Sequence, residues 1–160
     1  MKILLAIDDS EFSKAALNAV IKQVRPADAQ VQVLHVVESL RLAPPYVGFG
    51  IGPSVPVDFA GLIEEWLDKA EDLVAQSAKV LETAGFRVAT SVKEGDARAE
   101  ILKFAEGWQP DLIVVGSHGG KGLDRFLLGS VSEAVARHAN CSVQIVRPAR
   151  PPGAEGRAAA

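Results

Sequence analysis

Short aliphatic runs, separated by stretches with helical spacing, constrain this chain most. Ile3 to Ile7, Val31 to Val37, Leu112 to Val115 and Ser142 to Val146 are too short for helices and read as buried strands. Phe86 to Val92 alternates in part and ends at Gly95, so it is the third strand of five. Between strands the spacing changes. Phe12, Ala15, Ala16, Ala19, Val20 and Val24 recur at helical intervals, with Ser10 placed to cap and Pro26 beyond. Leu62, Ile63, Trp66, Leu67, Ala70, Leu73, Val74, Ala78 and Leu81 trace one face of a longer helix that Gly85 stops. That stripe assigns Trp66 to core packing. Asp96 caps a helix carrying Ile101, Leu102 and Ala105 up to Gly107, and Val131, Ala134, Val135, His138 and Ala139 mark the last helix. Strand and helix in alternation predict an α/β, doubly wound three-layer sandwich. A five-stranded, mostly parallel sheet with helices on both faces is expected, and the order expected for it is 3-2-1-4-5.

Composition narrows the classes of function. At 160 residues and 48% apolar, the chain suits a single domain, expected over residues 1–148, with a disordered Pro, Gly, Ala and Arg tail over 149–160. A formal charge of −3 argues against nucleic acid as a partner. Cys141 is the lone cysteine and reads as a small packing residue. The apolar start before Asp8 and Asp9 is too short for a signal sequence or membrane span, so a cytoplasmic protein with no membrane partner is expected. Residues 39–58 form a long connection containing Pro44-Pro45 and the Gly48, Gly50, Gly52 series. It reads equally as a solvated insert and as a lid over a ligand.

In a parallel α/β sheet, ligands bind beyond the C-terminal strand ends, where the strand order reverses. Asp8-Asp9, Val36-Val37, Gly95-Asp96 and the segment Gly116 to Gly119 fall there. Gly116 and Gly119 permit positive φ and close backbone approach. Nine residues on, Gly129 and Ser130 open the last helix, whose N-terminus offers N–H groups and a positive dipole end to an anion. Ser130 can add a hydroxyl, and Lys121 and Arg125 can add positive potential. Of His35, His118 and His138, His118 has the best claim to a ligand, from its position in the glycine loop.

Commoner phosphate motifs do not fit. A dinucleotide fold needs its glycines directly after strand one, where Asp8-Asp9-Ser10-Glu11 stands. A Walker loop needs Ser or Thr after Gly120-Lys121, and Gly122 is there instead. A phospho-accepting receiver could use Asp8 and Asp9 for Mg²⁺, but the third strand ends Val92-Lys93-Glu94-Gly95 and the fifth Val146-Arg147-Pro148, without its aspartate and lysine. No serine or cysteine has an obvious base and orienter, so no catalytic residue is assigned. Three histidines without spaced acidic partners make no dedicated metal site.

Gly116, Gly119, Gly129 and Ser130 match Gly-x-x-Gly, nine residues, Gly-Ser, and over residues 1 to 148 the chain resembles the ATP-binding branch of the universal stress proteins. The opening Ile3 to Ser10, with Asp8, and Leu34-His35-Val36-Val37 resemble that family's first two strands. The resemblance implies ATP in the crevice as a nucleotide-dependent signal in the stress response. Asp8 would contact the ribose, and the backbone around Ala6, Ile7 and Val36 would border the adenine. Val115, Gly116, His118, Gly119, Gly129, Ser130 and Val131 would surround the phosphates. Mg²⁺ or Mn²⁺ would be held mainly by phosphate oxygens. Asp9 departs from the small or apolar residue frequent in relatives and adds negative charge near the triphosphate. The resemblance also implies a homodimer through Ser142 to Val146. Two alternatives stay open: a slow ATPase or related nucleotide hydrolase, and a dimeric interaction module with a structural nucleotide. A third class, adenylate-forming enzymes on the related fold, carries in one branch a Ser-Gly-Gly-x-Asp-Ser loop after strand one, which is absent here.

Overall fold

The computed structural model describes residues 1–38, 59–119 and 128–148. The 39–58 connection, Lys121, Arg125 and the 149–160 tail lie outside them. The described residues form five strands: β1 (Lys2–Ile7), β2 (Gln30–Val37), β3 (Arg87–Glu94), β4 (Leu112–Gly116) and β5 (Ser142–Val146). They also form four α-helices: α1 (Glu11–Gln23), α2 (Phe59–Thr83), α3 (Ala97–Trp108) and α4 (Ser130–His138). The sheet order is β3-β2-β1-β4-β5, and every pairing is parallel. The expected architecture is therefore present, with the sheet wholly rather than mostly parallel.

β1 is central because its sequence tolerates no water on either face. Ile3, Leu4 and Leu5 are fully buried, and alternation sends successive side chains to opposite layers. Ile3, Leu5 and Ile7 pack with Ala16 and Val20 of α1 and Val74 and Leu81 of α2. Leu4 and Ala6 pack with Leu34, Ile101 and Ala105 of α3, and Val135 of α4. Burying each large aliphatic side chain contributes about 1.5–3 kcal/mol, so β1 anchors both layers.

Caps fix where the helices begin. Ser10 Oγ accepts from Ser13 N at 3.2 Å, starting α1. Asp96 accepts from Arg98 N at 3.0 Å and Ala99 N at 3.2 Å, starting α3. Gly85, at φ +93°, ends α2 as its sequence position predicts. Two expectations fail. The helix expected to stop at Gly107 runs through it, and the terminating left-handed residue is Gln109, at φ +52°. Trp66 is half-buried and belongs to neither core cluster, because the well-buried part of α2 begins at Ala70. Among the described side chains of its N-terminal half, Ile63 is 36% exposed.

Candidate functional site

β1 is the reversal point of the sheet, with β2 on one side and β4 on the other. Beyond its end, Asp8 meets the segment leaving β4. One carboxylate oxygen of Asp8, Oδ1, accepts from Ser10 N at 3.1 Å, Ser10 Oγ at 2.5 Å and Ser13 Oγ at 2.6 Å. Ser13 Oγ in turn accepts from Asp8 N at 2.8 Å. The other oxygen, Oδ2, lies against Gly119: a Cβ there would stand only 2.7 Å away. Asp8 is thus held by the first turn of α1 and presented to the glycine loop.

The two halves of the glycine motif meet at one carbonyl. Ser117 O accepts from Gly129 N at 2.8 Å and from Ser132 Oγ at 3.0 Å. Ser132 Oγ also lies 2.8 Å from Gly129 O, so one buried hydroxyl braces the start of α4 against the end of β4. On the other side Ser117 N donates to Val146 O at 2.8 Å, tying the loop to β5. Gly129 is the N-cap of α4 and has no side chain to cap it, so the first-turn N–H groups have no side-chain cap among the described residues.

The glycines do different things from one another. Neither Gly116 nor Gly119 adopts positive φ; among the described residues only Gly85 and Gly95 do so among glycines. Gly116 is a packing glycine. Its Cβ would lie 2.8 Å from Phe12 Cβ and 2.9 Å from the Phe12 carbonyl carbon, so α1 rests directly on β4. Gly119 instead spares the Asp8 carboxylate, and Gly129 clears His118 Cα and Ser117 O, both 3.2 Å from a hypothetical Cβ.

The remaining expected residues fall into place around this frame. Ala6 and Val115 are buried and Val36 and Val131 half-buried in the same apolar cluster, on the α3 and α4 side of the sheet. The side chain of Ile7 belongs to the opposite cluster, so its contribution at the strand end is its backbone. Ser130 is exposed at the first turn of α4. His118 Nδ1 is 3.0 Å from Ser117 Oγ, and its ring lies 5.1 Å from that of Phe12. Its Nε2 is buried with no hydrogen-bond partner. Asp9 is exposed, and Cys141 packs half-buried against the second cluster, where burial pushes its thiol pKa up. Among the described residues, no group of three or more His, Cys, Asp or Glu could hold a metal ion.

Sequence reasoning missed Phe12, Ser13 and Ser132. Serines in helices carry no distinguishing signal, and the contact of Phe12 with Gly116 depends on how closely α1 approaches the sheet. Farther along the same edge, Glu38 Oε1 accepts from Ala97 N at 3.4 Å, and Arg98 clamps Asp96 with contacts of 2.6 and 3.0 Å. Those bonds from Arg98 hold the Asp96 carboxyl well below the usual carboxylate range.

Together these features define an α/β switch-point protein with a glycine-built cradle beside a carboxylate. The universal stress protein family profile matches residues 1–147, and the chain belongs to that family. It is 35% identical over 147 residues to a universal stress protein of Methanocaldococcus jannaschii, covering 91% of this chain and 81% of that one. The solved structure of the protein MJ0577 superposes with a TM-score of 0.78 at 31% identity, covering 94% of this chain and 97% of its own. A family member from Arabidopsis thaliana with AMP bound shares the fold at a TM-score of 0.64 and 22% identity, covering 91% of this chain and 90% of its own. Other structures of this fold are complexes with cAMP and with dAMP.

Proposed function

We propose that the chain binds ATP at the β1–β4 switch point and acts as a nucleotide-dependent signalling module of the stress response, in the cytoplasm. One observation carries the reading: Gly119 leaves no room for a side chain against Asp8, while the Ser117 carbonyl draws the uncapped start of α4 to the same place. A cradle of bare backbone at a helix N-terminus suits phosphate oxygens. Adenine nucleotides in family structures of this fold support the same ligand class. In this reading Asp8 takes the ribose, and the backbone around Ala6, Ile7 and Val36 borders the adenine. Val115, Gly116, His118, Gly119, Gly129, Ser130 and Val131 surround the phosphates. The residues present fit Mg²⁺ or Mn²⁺ only as a phosphate-held ion, with the Asp8 carboxylate facing Gly119; the ion's chemistry would be to neutralise phosphate charge. Gly116 acts indirectly in this scheme, by seating α1 so that Ser10 and Ser13 can hold Asp8.

The test is to denature freshly purified protein and identify any released nucleotide by chromatography. ATP in near-stoichiometric amount is expected. AMP or cAMP in its place would keep the site and change the signal, and multiple-turnover phosphate release would favour the slow ATPase.

A second reading, the homodimer, has its own observation. The β5 edge, Ser142 to Val146, carries no charged residue, and Val143 to Val146 are half-exposed, whereas the opposite edge β3 carries Arg87, Lys93 and Glu94. Charged edges discourage strand addition, and uncharged ones invite it. Pairing of β5 with its copy covers that edge about a two-fold axis.

A further inference from the structure

The peptide that joins β1 to Asp8 is held at both ends. The Asp8 N–H donates to Ser13 Oγ. The Ile7 carbonyl oxygen lies 2.7 Å from His35 Nδ1. A carbonyl oxygen can only accept, so Nδ1 carries the hydrogen, and the ring donates there whether neutral or protonated.

The location of that bond matters. Ile7 is the last residue of β1 and stands opposite His35 in the β1–β2 register. The ladder to β4 stops one residue earlier, at Ala6 and Val115. Ile7 O faces β2, so the His35 ring adds a side-chain donor to the last rung between β1 and β2, just where β1 parts from β4. A carbonyl oxygen has two lone pairs, so the ring bond adds to the ladder at this buried residue rather than replacing a rung. The Ile7 carbonyl is also that of the peptide whose nitrogen belongs to Asp8, so its orientation fixes the direction in which the Asp8 side chain departs.

We propose that His35 is a positioning residue of the site, holding the Ile7–Asp8 peptide so that the Asp8 carboxylate stands beside Gly119. Its effect on nucleotide affinity rests on the ATP reading; its effect on Asp8 does not. Geometry distinguishes this role from simple packing. An asparagine places its amide nitrogen as far along the side chain as Nδ1, whereas glutamine is one carbon longer.

The experiment compares native protein with His35→Asn, His35→Gln and His35→Leu by amide hydrogen exchange at Asp8 and by ATP titration. His35→Leu is expected to speed Asp8 exchange and weaken ATP binding, each by about tenfold, as for one lost hydrogen bond. His35→Asn should return both toward the native values, and His35→Gln should not. Asp8 exchange unchanged in His35→Leu, or His35→Asn behaving like His35→Leu, overturns the role. If the leucine variant does not fold, the contrast between asparagine and glutamine decides. Should native protein bind no ATP, the nucleotide reading fails while the exchange comparison still settles His35.

Discussion

Two glycines three residues apart in one short segment answer to different neighbours, and substitution separates them. A Cβ at Gly116 meets the backbone of Phe12, which cannot move without lifting α1. Gly116→Ala is therefore expected to cost about 1–3 kcal/mol in urea unfolding, as overpacking does. Among the described residues, a Cβ at Gly119 meets only the Asp8 carboxylate. Gly119→Ala should leave the unfolding midpoint nearly unchanged while ATP affinity falls at least about tenfold, the scale of one displaced charge-assisted hydrogen bond. Ser132→Ala removes the buried brace on the Ser117 and Gly129 carbonyls and should cost about 1 kcal/mol by the same unfolding measurement. The glycine spacing made this segment legible in the sequence. What each glycine avoids was not, because the approach of α1 to β4 and of Asp8 to the loop arises only when distant elements pack.

Among the elements, α3 shows how local chemistry sets a boundary. Asp96 caps its first turn through two backbone N–H groups, and Asp96→Ala should lower stability by about 1 kcal/mol. The Arg98 pair is substantially exposed, so solvent screens its contribution at neutral pH. Its loss shows in acid. The bonds from Arg98 lower the folded-state pKa of Asp96 below its unfolded value. That contribution is full above the ordinary carboxylate range, near about pH 4, and is lost as pH falls through the lowered folded value. Asp96→Asn should flatten the acid decline in unfolding free energy, which thermal melts at stepped pH would reveal. The cap was legible because aspartate before a helical period has one common use. The far end was not: Gly107 looked like a terminus, yet the turn closes at Gln109, which accepts a left-handed backbone because nothing there demands a bulky side chain inward. Trp66 fits the apolar period, but periodicity does not say how far a helix extends beyond the sheet it packs on.

Across the whole molecule, alternation of strand and helix made the parallel α/β sheet legible, and with it the strand-end crevice where the candidate site lies, before any contact was known. In the proposed dimer β5 pairs with its copy, and a lysine at Gln144, the middle residue of β5, would set like charges close to that pairing. Gln144→Lys should turn a dimeric light-scattering mass into a monomeric one with little loss of thermal stability; a native protein already monomeric removes the β5 interface. No described helix is long and apolar enough to cross a membrane. The central claim is the ATP cradle, and calorimetric titration of ATP into the native protein and Gly119→Val tests it most directly. Micromolar binding by the native chain, about 8 kcal/mol, with no measurable heat from a folded Gly119→Val, is the expected result. Equal affinity in both proteins, or none in the native one, would contradict it.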